Sequence, residues 1–217
     1  MLASLFVESF RFIPHHAGLL LNKTGELAEL AFSALGIALL VALPLGLWLG
    51  HRHKGLFLAL GVSSLGRALP SIAVIGLGIA FLGVGFWNNT VALVILAIPP
   101  LLTNAYFAVD GADRDAVEAA RGMGLTEAQI LVRVEVPLGL PLILAGLRIA
   151  AVFVIATATI AGIAGGGGLG EVMTNQPTYG LPGVLAAALC VSALALLTAG
   201  VLAFGQRAAY RRMAPSA

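Results

Sequence analysis

The sequence predicts an all-α integral membrane protein: about five helical crossings, amino end outside and carboxyl end inside, with a charged helical hairpin on the inner face. Three observations predict it. The 217 residues are 59% hydrophobic and 10% charged, with a mean hydropathy of +1.01. A soluble domain carries about 25% charged residues, so this chain cannot build an ordinary water-facing surface. Its apolar residues gather into stretches long enough to span a bilayer. Its basic residues sort by loop, as they do in membrane proteins.

Residues 1–23 read as an amino-terminal interfacial segment. Leu2, Leu5, Phe6, Phe10 and Ile13 share one side of a helix, with Glu8 and Arg11 elsewhere. A secretory signal would need a basic start, an uninterrupted apolar stretch and a small-residue cleavage site, which this segment lacks. The first crossing is expected at 27–49, ended by His51-Arg52-His53-Lys54. A continuous helix over 56–87 would be ~45 Å long against a hydrocarbon core of ~30 Å. Pro70 offers the break, which predicts a short interfacial helix at 56–64 and the second crossing at 69–86. The third, fourth and fifth crossings are expected at 91–109, 138–164 and 184–204, with a cytoplasmic tail at 205–217. With the amino end outside, the inner side holds Arg52, Lys54, Arg114, Arg121, Arg133, Arg207, Arg211 and Arg212, and the outer side holds Arg11 and Lys23. Trp48 and Trp87 then sit at opposite ends of the crossings, as interfacial aromatic rings do. Gly46-x3-Gly50 and Gly162-x3-Gly166 let backbones approach closely, within one subunit or between two.

The loop at 110–137 has the marks of two short helices. Asp113 is placed to cap the first, and Asp115 sits in its first turn, where negative charge opposes the helix dipole. Gly122-Met123-Gly124 breaks it, and Thr126-x-x-Gln129 is a capping box for the second. Pro137 ends that helix or redirects it into the fourth crossing. Ala119 and Ala120 keep the first helix thin, and Glu118 and Arg121, three apart, are spaced to pair with each other or with a partner. A stiff hairpin that continues into a membrane helix is a handle for a soluble protein.

The spacing Glu118-Ala119-Ala120, Gly124, Val134, Val136 and Pro137 resembles the E-A-A-x3-G-x9-I-x-L-P loop of ABC importer permeases, with Val134 and Val136 where that motif has Ile and Leu. The chain over 24–204 resembles the transmembrane domain of a type I ABC importer permease. The resemblance implies that the hairpin is the coupling helix, seated in a cleft of a cytoplasmic ATPase, with Glu118, Ala119, Ala120 and Gly124 as docking residues, Met123 and Leu125 as apolar contacts, and Pro137 closing the motif. It also implies two ATPase subunits, a second permease copy or paralogue, an extracytoplasmic solute-binding protein, and a multi-pass place in a bacterial inner membrane. ATP and magnesium would belong to the partner ATPase, with no cofactor in this chain. The stretches "IPPLLTNAYFAVDGADRD", "AVEAARGMGLTEAQILVRVEVPLGLPLILAGLRIA" and "TATIAGIAGGGGLGEVM" are similar to permeases for glycine betaine, choline, carnitine and related quaternary amines. "LGRALPSIAVIGLG" is too, although Arg67 stands where many members have an uncharged polar residue. Methionine permeases share the glycine run and form the rival within the family.

Other features set limits. Gly165-Gly166-Gly167-Gly168-Leu169-Gly170 contains a formal G-x-G-x-x-G but no strand precedes it, so it reads as an outer-gate hinge and not as a dinucleotide site. No P-loop motif occurs, so any ATP is bound by another chain. Arg148 lies within the fourth crossing, roughly 16 Å past Pro137 by helical rise. It either lines a pathway with Thr157 and Thr159, or snorkels to the inner interface. His15-His16 and His51-x-His53 lack companions at metal-ligand spacing. Cys190 reads as a small buried hydrophobe. A net charge of +2 gives no footprint for nucleic acid. The crossings hold no Trp or Tyr cluster of the kind that cages a quaternary ammonium, so selection is assigned to an external binding protein. A transport subunit is therefore expected and not an enzyme. A gradient-driven transporter or channel subunit, which would have no ATPase partner, is the alternative from another class.

Overall fold

Helix breakers partition the chain much as its sequence suggests. The computed structural model describes residues 2–57, 61, 64, 66 and 68–213. The helices are α1 (Leu2–His15), α2 (Ala17–His51), α3 (Ser71–Leu82), α4 (Phe86–Asp110), α5 (Arg114–Gly122) and α6 (Glu127–Ile130). A π turn (Leu131–Glu135) leads into α7 (Val136–Ala158), a 3-10 turn (Ile160–Ala164) into α8 (Gly168–Thr174), and α9 spans Gln176–Met213. No strand occurs among the described residues.

Four of these runs are long and apolar enough to cross a membrane: Ala17–His51, Phe86–Asp110, Glu127–Ala158 and Gln176–Arg211. The crossing expected at 69–86 differs. Pro70 starts α3 and Gly83, at φ +74°, stops it after 12 residues, which is ~18 Å of helix against ~30 Å of hydrocarbon. The interfacial helix expected at 56–64 falls largely outside the described residues, as does Arg67. The helix that carries the first crossing begins at Ala17, ten residues before the crossing expected at 27–49, because nothing between Ala17 and Leu27 breaks it. Helix α9 carries a kink at Gly180 (φ +66°, ψ 174°), and the crossing expected at 184–204 lies after it.

Contacts gather the chain into two units. The first comprises Met1–Gly36, Leu69–Leu96 and Ala151–Thr198. Here Leu27, Leu30, Ala31 and Ala34, at helical spacing, are each 1% exposed or less. Ile75, Ala92 and Ala164 form a small core with Val74, Ile79 and Ile160 around it. Two asparagines are buried at the start of α4. Asn88 Nδ2 donates to the Ile75 carbonyl at 3.3 Å and Asn89 Nδ2 to the Ala164 carbonyl at 3.4 Å. Their Oδ1 atoms have no partner among the described residues.

The second unit comprises Ile37–Ala68, Ala97–Ala150 and Ala199–Ala217. Ala38, Ala42, Gly46 and Gly50 form a buried stripe of small residues every fourth position. Cβ atoms on Gly46 and Gly50 would strike the Leu102 and Tyr106 carbonyls at 2.7 and 2.5 Å. Gly46-x3-Gly50 thus packs α2 on α4 within one chain. Gly139 and Gly146 of α7 approach Ala108 and Asn104 of α4 in the same way. In lipid there is no hydrophobic drive between helices, so such close backbone packing carries the association.

Candidate functional site

The hairpin lies in the second unit and folds as its caps dictate. The Asp113 carboxylate accepts from the Asp115 amide at 2.9 Å and opens α5. Met123 terminates it, and Gly124 turns the chain at φ +83°, which a residue with a Cβ rarely adopts. Both halves of the Thr126–Gln129 capping box are made, at 3.4 and 2.9 Å. Helix α6 then continues through the π turn into α7. Of the two expectations for Pro137, ending the helix or leading it into the fourth crossing, the structure has the second: Pro137 is exposed in the first turn of α7 and the helix runs on through it. Pro137 has no amide to offer the turn before it, and the Val136 amide bonds the Leu131 carbonyl five residues back, so the π turn carries the chain across the proline.

The motif residues divide between surface and packing. Glu118 and Ala119 are exposed, Met123 is 74% exposed, and a Cβ built on Gly124 meets nothing within 4 Å. Leu125 is half-buried. Ala120 is 2% exposed. Its side chain is thus buried within the chain itself, unlike those of its neighbours Glu118 and Ala119. Of the two pairings open to Glu118 and Arg121, with each other or with a partner, the first is not made. Arg121 Nε and Nη2 donate to the Glu127 oxygens, each at 3.0 Å, leaving Glu118 without an ion pair among the described residues. Glu127 holds the guanidinium above its ordinary pKa, and Arg121 holds the Glu127 carboxyl below the usual carboxylate range.

Beside α5 opens a cleft of about 430 Å³ lined by Glu118, Arg121, Arg114, His51, His53 and Glu135, among others. Three polar contacts that sequence reasoning missed sit here. His51 Nδ1 lies 2.6 Å from Glu135 Oε2, His51 Nε2 lies 3.4 Å from Glu127 Oε2, and His53 Nδ1 lies 2.8 Å from Asp110 Oδ1. The available signal was Glu135 itself, a carboxylate between two valines at the root of a crossing.

The glycine run lies in the first unit. Gly165, Gly167 and Gly168 all have positive φ, between 66° and 68°, and carry the chain from the 3-10 turn into α8. A Cβ on Gly170 would collide with the Thr159 carbonyl. The segment is tethered to α2. The Gly168 amide donates to Glu26 Oε2 at 2.8 Å, and Lys23 Nζ donates to Glu26 Oε2 at 2.9 Å and to Glu171 Oε2 at 2.7 Å. The sequence pointed to the glycines and not to this carboxylate–lysine tether.

Helix α7 carries Arg148 and Thr157, and Thr159 follows its end, before the 3-10 turn. Arg148, in the second unit, is half-buried and makes no hydrogen bond or ion pair among the described residues. In the first unit Thr157 is buried at 4% exposure, and Thr159 Oγ1 donates to the Ala156 carbonyl at 2.6 Å. No three His, Cys, Asp or Glu side chains gather as they would around a metal among the described residues.

Residues 42–211 match the family described as the inner membrane component of binding-protein-dependent transport systems. The chain is 34% identical over 205 residues to a glycine betaine/carnitine/choline transport system permease protein of Bacillus subtilis, covering 92% of this chain and 93% of that one. It is 38% identical to a carnitine transport permease protein of Listeria monocytogenes over 82% of each chain. It is 35% identical to a choline transport system permease protein of Bacillus subtilis over 91% of each. Among solved structures, the inward-facing MetNI methionine ABC transporter superposes with a TM-score of 0.76 over 89% of this chain and 97% of that one, at 21% identity. That likeness establishes the fold.

Proposed function

The chain belongs to the family of inner membrane components of binding-protein-dependent transport systems, and from that membership we propose that it is the permease subunit of an ATP-driven importer carrying a small quaternary amine of the glycine betaine, choline and carnitine type inward. The observation that carries the coupling role is α5 with Met123 and Gly124: a capped, stiff helix ending in an exposed apolar side chain and an open glycine. Charge flanking an exposed methionine suits a protein cleft and not a lipid face.

The chain is a transport subunit, and ATP hydrolysis belongs to a separate ATPase. Glu118, Ala119, Met123, Gly124 and Leu125 meet that ATPase in a cleft that receives α5. Because Glu127–Ala158 is one helical run, displacement of the hairpin is passed to the membrane without a loose joint. ATP binding to two ATPase subunits then shifts the population between inward-open and outward-open states. A second permease copy encloses the pathway with this one, and a solute-binding protein delivers the amine from outside. Gly165, Gly166, Gly167, Gly168 and Gly170 serve as the outer hinge, and Arg148, Thr157 and Thr159 line the passage. Residues 24–204 act as the transport domain, 1–23 as an interfacial segment and 205–217 as a cytoplasmic tail.

Support for the substrate class comes from relatives named for glycine betaine, carnitine and choline over most of the chain. Labelled glycine betaine uptake into proteoliposomes holding the permease, its ATPase and its binding protein tests the reading. Accumulation that requires both ATP and the binding protein is expected. Accumulation driven by an ion gradient without ATP would overturn it.

A further inference from the structure

His51 is the last residue of α2, and its side chain is 10% exposed. Its ring faces two carboxylates on different pieces of the hairpin's root. Glu135 Oε2 lies 2.6 Å from Nδ1, and Glu127 Oε2 lies 3.4 Å from Nε2. A carboxylate offers only lone pairs, so the ring nitrogen at the short contact donates. The Glu135 side chain is 3% exposed, and a carboxylate so far from water is costly unless it is paired. The π turn explains how it comes to point there. One extra residue in a helical turn rotates the following face by about 100° relative to an unbroken α-helix, and Glu135 is the last residue of that turn. Glu127 in turn holds Arg121 in the last turn of α5 through two 3.0 Å bonds.

We propose that His51 is a positioning residue for energy coupling: it clasps the end of the first crossing to the root of α7 through Glu135 and to α5 through Glu127 and Arg121, so that displacement of α5 moves α2 as well as α7. The proposal deepens the importer reading and rests on it. Without the clasp, the hairpin levers one membrane helix. With it, α2 and α7 respond together, and ATP hydrolysis is not wasted on a hairpin that moves alone. The role of a merely structural contact would be different: its loss would lower assembly and every activity in proportion.

The test uses the assembled importer in proteoliposomes and reads solute accumulated per ATP hydrolysed. In His51→Leu the complex assembles and hydrolyses ATP, and the transport-to-hydrolysis ratio falls about tenfold, as expected on losing a buried charge-assisted hydrogen bond. His51→Asn, whose amide nitrogen occupies the place of Nδ1, recovers most of the ratio. His51→Gln, which reaches only the place of Nε2, recovers less. Glu127→Gln, whose parent side chain is 58% exposed and not needed for folding, lowers the ratio about threefold, in line with a weaker exposed contact, and decides the matter if His51→Leu fails to assemble. A wild-type ratio in His51→Leu, or in Glu127→Gln, overturns the proposal, as does equal behaviour of the Leu and Asn variants. A wild-type assembly that accumulates nothing with ATP sinks the importer reading instead. Amide hydrogen exchange over 114–135 then still judges the clasp: faster exchange in His51→Leu upholds it, and unchanged exchange rejects it.

Discussion

The glycine segment at 165–170 and the hairpin at 110–137 both turn on glycines with positive φ, yet they use them in opposite ways. Around the segment, space is exhausted. A Cβ on Gly168 would lie 3.2 Å from the Leu27 backbone, one on Gly170 would strike the Thr159 carbonyl, and Glu26 and Lys23 bind over the top. At the hairpin, Gly124 has the same kind of φ but open space where a side chain would be. Crowding at one and vacancy at the other separate a glycine required by the chain's own packing from one that leaves room for another molecule.

Substitutions at the two places sharpen that contrast. The largest effect is expected at the hairpin. Gly124→Ala and Gly124→Trp carry the same backbone strain, about 1–2 kcal/mol, so their thermal midpoints fall alike, but only the Trp variant fills the vacancy. Combined with Glu118→Lys it should reduce ATP-driven solute accumulation to background, while Gly124→Ala retains most of it. Equal uptake by the two would remove the distinction. Next is Gly170→Ala, where the new methyl has no room and overpacking costs about 1–3 kcal/mol. A lower thermal midpoint of the purified protein checks it. Glu26→Gln should be milder, because the carboxylate is partly exposed and screened, at about 1 kcal/mol or less. It is read as faster amide exchange at Gly168. The smallest effect is on the Arg121–Glu127 pair. Since Arg121 lowers the Glu127 pKa, the pair's contribution is complete above the ordinary carboxylate range and disappears as pH falls through the lowered value. Hairpin protection, taken relative to the intrinsic exchange rate at each pH, should therefore be flat near neutral pH and fall only in acid, and Glu127→Gln should abolish that acid limb.

Local chemistry was legible in the sequence. Asp113, the Thr126–Gln129 box and the Gly124 turn depend on neighbours within four residues, and each forms as its spacing dictates. Contacts that depend on how helices meet were not legible. His51 and Glu135 are 84 residues apart, and Lys23 and Glu171 are 148 apart. No periodicity marks such pairs. Arg121 illustrates the same limit at short range. Helical spacing offers it Glu118, but the turn at Gly124 brings Glu127 to it with two-point geometry, which a guanidinium prefers. Apolar content alone also overstated α3, where Pro70 and Gly83 and not hydropathy set the length.

The coupling role of α5 is tested most directly by a photocrosslinking side chain at Met123 in the otherwise intact importer, with Leu196, 72% exposed on α9, as the control position. The account predicts a covalent adduct with the purified ATPase subunit from position 123 and none from position 196. A transport-competent complex that yields no adduct at 123 would contradict it.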